Sequence, residues 1–296
     1  MAIAKGKTTT DVEFKRYIGI APCYIKSVNP TRKEFNEIYD TNLEEEPTYV
    51  TETEYQDGDK KAKCPNLRIS FLALPDPNKI GEEIKPISVS IFLQKRYRYN
   101  RDKTKVQVID KYGRTAWVTL EQGKNHEIPM YSNGPANLDK DYRPAYIGEE
   151  ELTNFLIAYL GIPSVMKYNQ SEGKWYMVDN PEDSECRLDH IDDYFKNDFT
   201  ELKEAIALQP NNKIKIMFGV RTNNEGKQYQ TAFTQMFLRN SVTNYSNIDK
   251  ALQERKNAGA YSTTEFEASD FHEYSVKNTP IVDNTDPFSM PSSPWD

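Results

Sequence analysis

The sequence has few cysteines, few histidines and no long apolar run. Its three cysteines, Cys23, Cys64 and Cys186, are an odd number at wide spacing, which favours a reducing compartment over a disulfide framework. No run approaches the roughly 18 to 20 apolar residues that a bilayer span requires, and the N-terminus lacks the apolar stretch of a secretory signal. We therefore expect a cytoplasmic protein that makes no contact with membranes.

Motifs of catalysis and of metal binding are also missing. There is no Gly-rich phosphate loop, no Gly-x-Ser-x-Gly and no His-Glu-x-x-His, and the carboxylates Asp192 and Asp193 lie in a generally acidic segment typical of a solvated helix face. Cys186 and His190 have the spacing of two ligands on one helical face, and Cys64 is a third candidate ligand. Structural zinc normally takes four ligands from close Cys or His pairs, and no Cys-x-x-Cys occurs. We expect no catalytic residue, no metal and no cofactor, with a site at these three residues as the alternative.

The charged residues are distributed unevenly. The chain has 38 Lys and Arg against 45 Asp and Glu, a formal charge of −7, and residues 265–296 hold seven acids and one base. Residues 85–124 hold ten bases against three acids, whereas residues 40–59 hold eight acids and no base. One basic segment in an acidic protein is typical of a focused polyanion-binding surface, because acidic surroundings discourage binding elsewhere. The alternative is a solvated hairpin whose charges have no ligand.

Aromatic and β-branched residues are plentiful and predict a β-rich fold. With 19 tyrosines and an aromatic content of 12%, large rings can fill a core where aliphatic residues are few. The predicted strands are 17–28, 48–55, 66–74, 87–93, 106–109, 115–120, 213–220, 228–238 and 261–266. The predicted helices are 29–39, capped by Thr31 with Glu34, 149–160, 186–208 with a break near Asn197, and 248–256.

These elements predict an α+β protein with a small β-barrel or sandwich as its core, elaborated with helices and extra β-hairpins. We expect a flexible N-terminal arm at 1–13 and a nucleic-acid-binding domain at 14–277 with a helical and β insertion around 149–210. Residues 278–296 are rich in Pro, Ser, Asn and Asp, which predicts a disordered acidic tail.

The strongest candidate site lies within the basic segment. Bases alternate there with aromatic residues, a combination that suits single-stranded nucleic acid, since cations follow the phosphates and rings stack on bases at roughly 1 to 3 kcal/mol per base. The predicted phosphate contacts are Lys95, Arg96, Arg98, Arg101, Lys103, Lys105 and Arg114. The predicted stacking residues are Tyr97, Tyr99 and Trp117. If the strand continues, Arg96 and Arg98 share one face, and Tyr97 and Tyr99 lie on the other with Lys95. The alternative is that the rings belong to the core.

The C-terminal segment combines acids with isolated aromatic residues. An aromatic anchor flanked by acids can dock in a hydrophobic pocket rimmed by bases on another protein, and it can compete with DNA for the protein's own basic groove. The predicted partner-binding residues are Asp283, Asp286, Pro287, Phe288, Trp295 and Asp296. The alternative is an inert end of the chain.

A β-rich body with a basic and aromatic segment, followed by an acidic tail carrying Asp286-Pro287-Phe288, resembles the single-stranded-DNA-binding proteins of bacteria and tailed bacteriophages. The resemblance implies an OB-fold core that holds the strand and a C-terminal tip that recruits replication or recombination proteins. It covers the organisation of the chain and the tip. In the bacterial family the Phe ends the chain, whereas here Ser289–Asp296 follow, and the greater length is closer to the phage members.

The resulting expectation is sequence-independent binding of single-stranded DNA in phage DNA replication or recombination, in the cytoplasm of a bacterial host, without catalysis. Homo-oligomerisation is left open. The alternative is a phage virion structural or assembly protein that binds no nucleic acid and uses its tail and basic loop to contact neighbouring subunits.

Overall fold

The structure is a computed structural model that describes residues 15–57, 59–120, 138, 142–180 and 190–275. These residues form an α+β fold with a mostly antiparallel, curled sheet, which confirms the predicted class at that level. Of the described residues, one compact unit takes 15–20, 217–233 and 246–275, and a larger unit takes the rest, including the predicted insertion.

The secondary-structure elements largely follow the predicted ones. The strands are β1 (Tyr17–Val28), β2 (Val50–Asp57), β3 (Lys60–Pro75), β4 (Ile87–Tyr97), β5 (Lys105–Ile109), β6 (Thr115–Thr119), β7 (Arg143–Pro144), β8 (Tyr146–Ile147), β9 (Ser164–Asn169), β10 (Lys174–Asp179), β11 (Ile214–Thr222), β12 (Gln228–Ala232), β13 (Leu238–Arg239), β14 (Thr264–Phe266) and β15 (His272–Glu273). The helices are α1 (Arg32–Tyr39), α2 (Pro77–Ile80), α3 (Glu149–Leu160), α4 (Ile191–Tyr194), α5 (Thr200–Ala207) and α6 (Ser246–Asn257). The sequence analysis does not predict α2, the β9–β10 hairpin or the two-residue strands β7, β8 and β15. The predicted strand 228–238 is interrupted, since β12 ends at Ala232 and β13 begins at Leu238.

The centre of the larger unit is β3, a strand of 16 residues that is paired along both edges. β4 runs antiparallel to Asn66–Ala73. β2 pairs with Lys60–Leu67 of β3, and β1 pairs with Phe71–Pro75. Both stretches overlap the residues that β4 pairs with, so β2 and β1 lie on the opposite edge of β3, one after the other. A twisted strand that serves two successive neighbours produces a curled sheet rather than a flat one.

Helix α3 packs on this sheet and fixes the position of the residues in its first turn. Phe155 stacks on Phe71 of β3 with ring centroids 3.8 Å apart. The helix begins after Gly148, which has a φ of +83° and lies directly against the backbone of β4. Glu149 in the first turn is fully buried and accepts hydrogen bonds from Arg143 and from the backbone N–H of Tyr146. The helix therefore starts at a fixed point beside the end of β4.

The smaller unit is built around β11, of which it holds residues from Met217 onward. β12 and β14 both pair with β11 over Gly219–Arg221, and therefore lie on its two edges. Gly219 lies directly beside Phe266, where a Cβ would meet the ring at 2.4 Å, and Phe266 packs edge-on against Phe233 and Tyr261. Close backbone approach and clustered rings thus form the core of this unit.

A separate three-stranded sheet, β6–β5–β7, carries much of the basic segment. One face of it forms a small buried cluster made of Val106, Val108, Val118, Leu120 and Tyr142. A two-stranded sheet formed by β9 and β10 stands beside the main sheet as an element of its own. In the part of the chain that the structure describes, no helix combines the length and the apolar content that a membrane span requires.

Candidate nucleic-acid interface

The end of β4 carries the first predicted contacts and contains an irregularity. Gln94 pairs with Ile147, but the next pair of β8 is Tyr146 with Tyr97, so β4 advances three residues where β8 advances one. This is a β-bulge, which re-aims the side chains that follow it. Simple alternation therefore does not describe the faces beyond Gln94.

Tyr97 and Lys95 meet in what we call the Tyr97 cluster, made of Lys95, Tyr97, Tyr146, Asp192 and Phe195. Tyr97 is 41% exposed and stacks on Tyr146 with ring centroids 5.7 Å apart. The ammonium group of Lys95 lies 2.9 Å from a carboxylate oxygen of Asp192 and 5.7 Å from the ring centroid of Phe195. Burial, and secondarily the charge of Asp192, raises the pKa of Tyr146 to about 12, so its hydroxyl stays protonated and donates to Asp192. Lys95 and Tyr97 therefore lie on the same side of the chain, as predicted, but Lys95 is already bound to Asp192.

Arg96 and Arg98 have different surroundings. The guanidinium carbon of Arg96 lies 4.7 Å from the ring centroid of Tyr55 on β2. Arg98 donates from Nη1 to Glu150 of α3 at 2.6 Å and to the side-chain oxygen of Gln107 on β5 at 3.1 Å. The structure therefore places the two arginines against different strands and uses Arg98 to join β5 to α3.

The outer face of the β5–β6 hairpin carries the clearest stacking residue. Trp117 pairs with Gln107, and Lys105 pairs with Thr119, so these four side chains lie on one face of the hairpin. Trp117 is 44% exposed, and the Arg98 guanidinium carbon lies 5.8 Å from its ring centroid. An accessible indole therefore lies beside one cation, Arg98, and on the same face as a second, Lys105.

Tyr99 lies on the other side of this hairpin. Its ring is half-buried and packs against the cluster formed by Val106, Val118 and their neighbours. We therefore omit Tyr99 from the stacking surface, because its faces are covered by the hairpin's own core.

The remaining predicted cations lie in two turns. Arg101 and Lys103 are exposed in the turn that joins β4 to β5, and Arg101 makes no ion pair with any residue that the structure describes. Hydrogen bonds from Thr104 lower the pKa of Asp102 in this turn, so it stays a carboxylate and reduces the turn's net charge. Arg114, in the turn between β5 and β6, pairs with the buried carboxylate of Asp110, so it holds that turn together.

The structure thus brings together a smaller set than the sequence predicts, which we call the hairpin surface. It consists of Arg98, Arg101, Lys103, Lys105 and Trp117. Three predicted phosphate contacts, Lys95, Arg98 and Arg114, are bound to acids. The predicted tail residues, from Asp283 to Asp296, lie outside the described residues.

The sequence analysis misses a set of exposed rings on the β9–β10 hairpin, residues 164–179, here called the aromatic hairpin. Its exposed apolar side chains are Met166, Tyr168, Trp175 and Tyr176. The signal was present in the sequence, since two short segments rich in aromatic and aliphatic residues flank a polar turn that ends in Gly173.

The described residues contain no group of three or more His, Cys, Asp and Glu side chains placed to hold a metal ion. Cys64 is buried, and its pKa is raised by burial, so it remains a thiol at neutral pH. His190 lies 2.8 Å from Glu201 and contacts Asp193, as part of a network around α4. Cys186 lies outside the described residues.

Comparisons of the chain with protein-family models, with curated proteins and with solved structures find no match in any of the three. The case for a function therefore rests on the geometry of these side chains.

Proposed function

We propose that the protein binds single-stranded DNA without sequence preference through the hairpin surface, with the Tyr97 cluster as a second stacking position. The observation that carries the proposal is Trp117, which is 44% exposed on the same face as Lys105 and beside Arg98. A partly exposed indole with cations nearby offers a ring for a base and charges for the neighbouring phosphates.

A single strand fits this surface better than a duplex does. Stacking on Trp117 requires the flat face of a base, which is covered in a duplex and accessible in a single strand. Every base has such a face, and the one amide on this side of the hairpin, Gln107, is buried and bound to Arg98. The surface therefore offers mainly stacking and charge, with the Gln107 amide kept from base edges, which supports binding that is independent of sequence.

The ion pair with Asp192 does not remove Lys95 from the interface. The Lys95–Asp192 pair is partly exposed on both sides, and exposed pairs of this kind contribute only about 0 to 1 kcal/mol. A phosphate that approaches Lys95 can therefore replace Asp192 at little cost. The acid acts as a weak competitor rather than a permanent partner.

The wider role in this proposal follows the resemblance of the chain's organisation. The curled sheet around β3 would serve as an OB-like core, and residues 283–296 would bind replication or recombination proteins of a phage. Their acids and the aromatic residues Phe288 and Trp295 are suited to a basic-rimmed apolar pocket on a partner.

Titration with oligo-dT at about 50 mM and about 200 mM salt tests the proposal, because each neutralised phosphate contributes about −0.7 to the slope of log affinity against log salt. We expect the double variant Arg101→Ala/Lys105→Ala to make this slope shallower by about 1.4. The matched control Lys33→Ala/Lys250→Ala removes two exposed lysines on α1 and α6 and should leave the slope unchanged. An affinity that does not depend on salt would contradict the proposal.

A further inference from the structure

We propose that the aromatic hairpin is a second contact for the same single strand, continuing the path that begins at Trp117. This inference rests on the proposed function and extends it to a new set of residues. It would add a stacking position on the aromatic hairpin to those at Trp117 and at the Tyr97 cluster.

The rings of the aromatic hairpin are too exposed to serve as a core. Trp175 is 62% exposed and Tyr168 is 50% exposed, more than either Tyr97 or Trp117. The hairpin is a sheet of only two strands, and a sheet of that size is marginally stable in water without a surface to pack on. Large rings in such a place are more readily explained by a ligand than by the stability of the fold.

The register arranges the rings as stacking surfaces on both faces. Trp175 pairs with Tyr168 across the hairpin, and their ring centroids lie 5.3 Å apart at 52°, so the two rings are tilted and each keeps an accessible face. Tyr176 pairs with Lys167 on the opposite face. A base can therefore stack on either side of the hairpin.

The charges favour nucleic acid over a protein partner. Lys167 and Lys174 are exposed and form no ion pair with any described residue. Of the two acids in the hairpin, Glu172 accepts a hydrogen bond from the Tyr176 hydroxyl and Asp179 accepts one from Tyr112. The register places both lysines on the face of Tyr176, opposite Trp175 and Tyr168, and Glu172 and Asp179 balance their charge. Protein interfaces are depleted of lysine and single-strand sites are enriched in it, so two lysines without an ion pair fit phosphates, while the rings on the two faces fit bases.

The base of the aromatic hairpin adjoins the basic hairpin. The Tyr112 hydroxyl lies 3.4 Å from a carboxylate oxygen of Asp179, and Tyr112 belongs to the turn between β5 and β6. The same turn carries Lys111, whose ammonium lies 4.8 Å from the Tyr112 ring centroid. Trp175 is four residues from Asp179 along β10, or about 13 Å. A strand that leaves Trp117 past this turn therefore meets cations before it reaches Trp175.

Two single-tryptophan proteins, made in the full chain, test the inference. Trp175→Phe/Trp295→Phe leaves Trp117 as the reporter, and Trp117→Phe/Trp295→Phe leaves Trp175. Each is titrated with a short oligo-dT of about 4 nucleotides and a long one of about 16, the limits of site size for one binding fold. We expect Trp117 fluorescence to be quenched by both oligonucleotides and Trp175 fluorescence by the long one only.

The outcomes separate this inference from the proposed function. If Trp117 responds and Trp175 is silent with the long oligonucleotide, the inference fails and the proposed function stands. If Trp175 responds and Trp117 is silent, the hairpin surface is wrong as the primary site and the aromatic hairpin is the binding element. Silence of both overturns both.

An affinity measurement provides the matching loss of function. Trp175→Ala/Tyr168→Ala should weaken binding of the long oligonucleotide at least about tenfold and leave the short one unchanged, because each lost stack costs about 1 to 3 kcal/mol. Leu208→Ala, which truncates an apolar side chain that is 79% exposed, is the control. If the double variant instead changes the sedimentation coefficient and not the affinity, the hairpin is a contact between copies of the chain and the inference is overturned.

Discussion

At the scale of single residues, the acids around the basic segment decide which of its cations are available. Lys95 is bound by Asp192 and Arg98 by Glu150, acids that lie 97 and 52 residues away in the sequence. Residue types alone show that this segment is basic and aromatic. They cannot show which bases are paired, because the acids that pair with them belong to α3 and α4 and come close only in the tertiary fold.

Trp117→Ala should weaken binding of oligo-dT about tenfold. The substitution removes a partly exposed stacking ring and leaves the buried face of the hairpin intact, and one base stack contributes about 1 to 3 kcal/mol. Fluorescence anisotropy of a labelled oligonucleotide measures the loss, and Leu208→Ala controls for removal of an exposed apolar side chain. Equal affinities of Trp117→Ala and wild type would remove Trp117 from the interface.

Asp192→Asn should raise the affinity about two- to fivefold and make it more sensitive to salt. The substitution releases Lys95 from an exposed ion pair, which contributes about 0 to 1 kcal/mol. The same anisotropy titration at low and high salt reports the change. Asp249→Asn on α6 alters the net charge equally, so an identical rise in both variants would show a general charge effect and not a local competitor.

At the scale of elements, local sequence chemistry predicts the helices and strands well where the signals are local. The Thr31–Glu34 capping box is present at α1, and β5 and β6 form a hairpin from the two strands predicted at 106–109 and 115–120. The exposure of the rings was less accessible to prediction. The bulge after Gln94 leaves Tyr97 exposed, whereas Tyr99 packs against the core of the β5–β6 hairpin. Neither feature has a signature within the basic segment itself.

Gly148→Ala should lower the free energy of unfolding by at least about 2 kcal/mol. Gly148 has a φ of +83°, and a Cβ would come within 1.9 Å of the Phe92 carbonyl oxygen, so β4 and the start of α3 would have to separate. Gly81→Ala has the same φ with nothing within 4 Å, and should cost only about 1 to 2 kcal/mol of backbone strain. Urea unfolding of both variants measures the difference, and equal losses would show that close packing at Gly148 contributes nothing.

At the scale of the whole molecule, a partly buried ion pair between Asp76 and Lys213 contributes to the pH dependence of the stability. Asp76 is buried, which by itself would raise its pKa, but hydrogen bonds from Lys213 and from the backbone of Asn78 outweigh the burial and lower the pKa below its ordinary value. A carboxyl with a lowered pKa in the folded state contributes stability above its unfolded pKa of about 3.9, and that contribution is lost as the pH falls through the folded value.

Asp76→Asn should therefore lower the free energy of unfolding at pH 7 by about 1 to 3 kcal/mol, since it leaves the half-buried ammonium group of Lys213 without its charged partner. The variant should also lose less stability than wild type when the pH is lowered from 7 to about 3. Urea unfolding at the two pH values measures both effects, with Asp249→Asn as an exposed control. Parallel losses in wild type and Asp76→Asn on acidification would mean that another group causes the acid sensitivity.

Deleting residues 278–296 should leave the fold intact and keep or raise the affinity for single strands. The deleted segment carries three acids and no base, so its removal lowers competition with the phosphates. Circular dichroism and anisotropy measure the two properties. A large loss of thermal stability would show that this segment packs on the folded body.

Photocrosslinking of oligo-dT to the full chain, followed by mass spectrometry of the peptides, tests the proposal that single strands bind on the two hairpins and the Tyr97 cluster, because it reports which side chains touch the bases. We expect crosslinks at Trp117 and Tyr97, and further crosslinks at Trp175 or Tyr168 only when the oligonucleotide is long. Crosslinks confined to residues outside the two hairpins and the Tyr97 cluster, or none under saturating conditions, would contradict it.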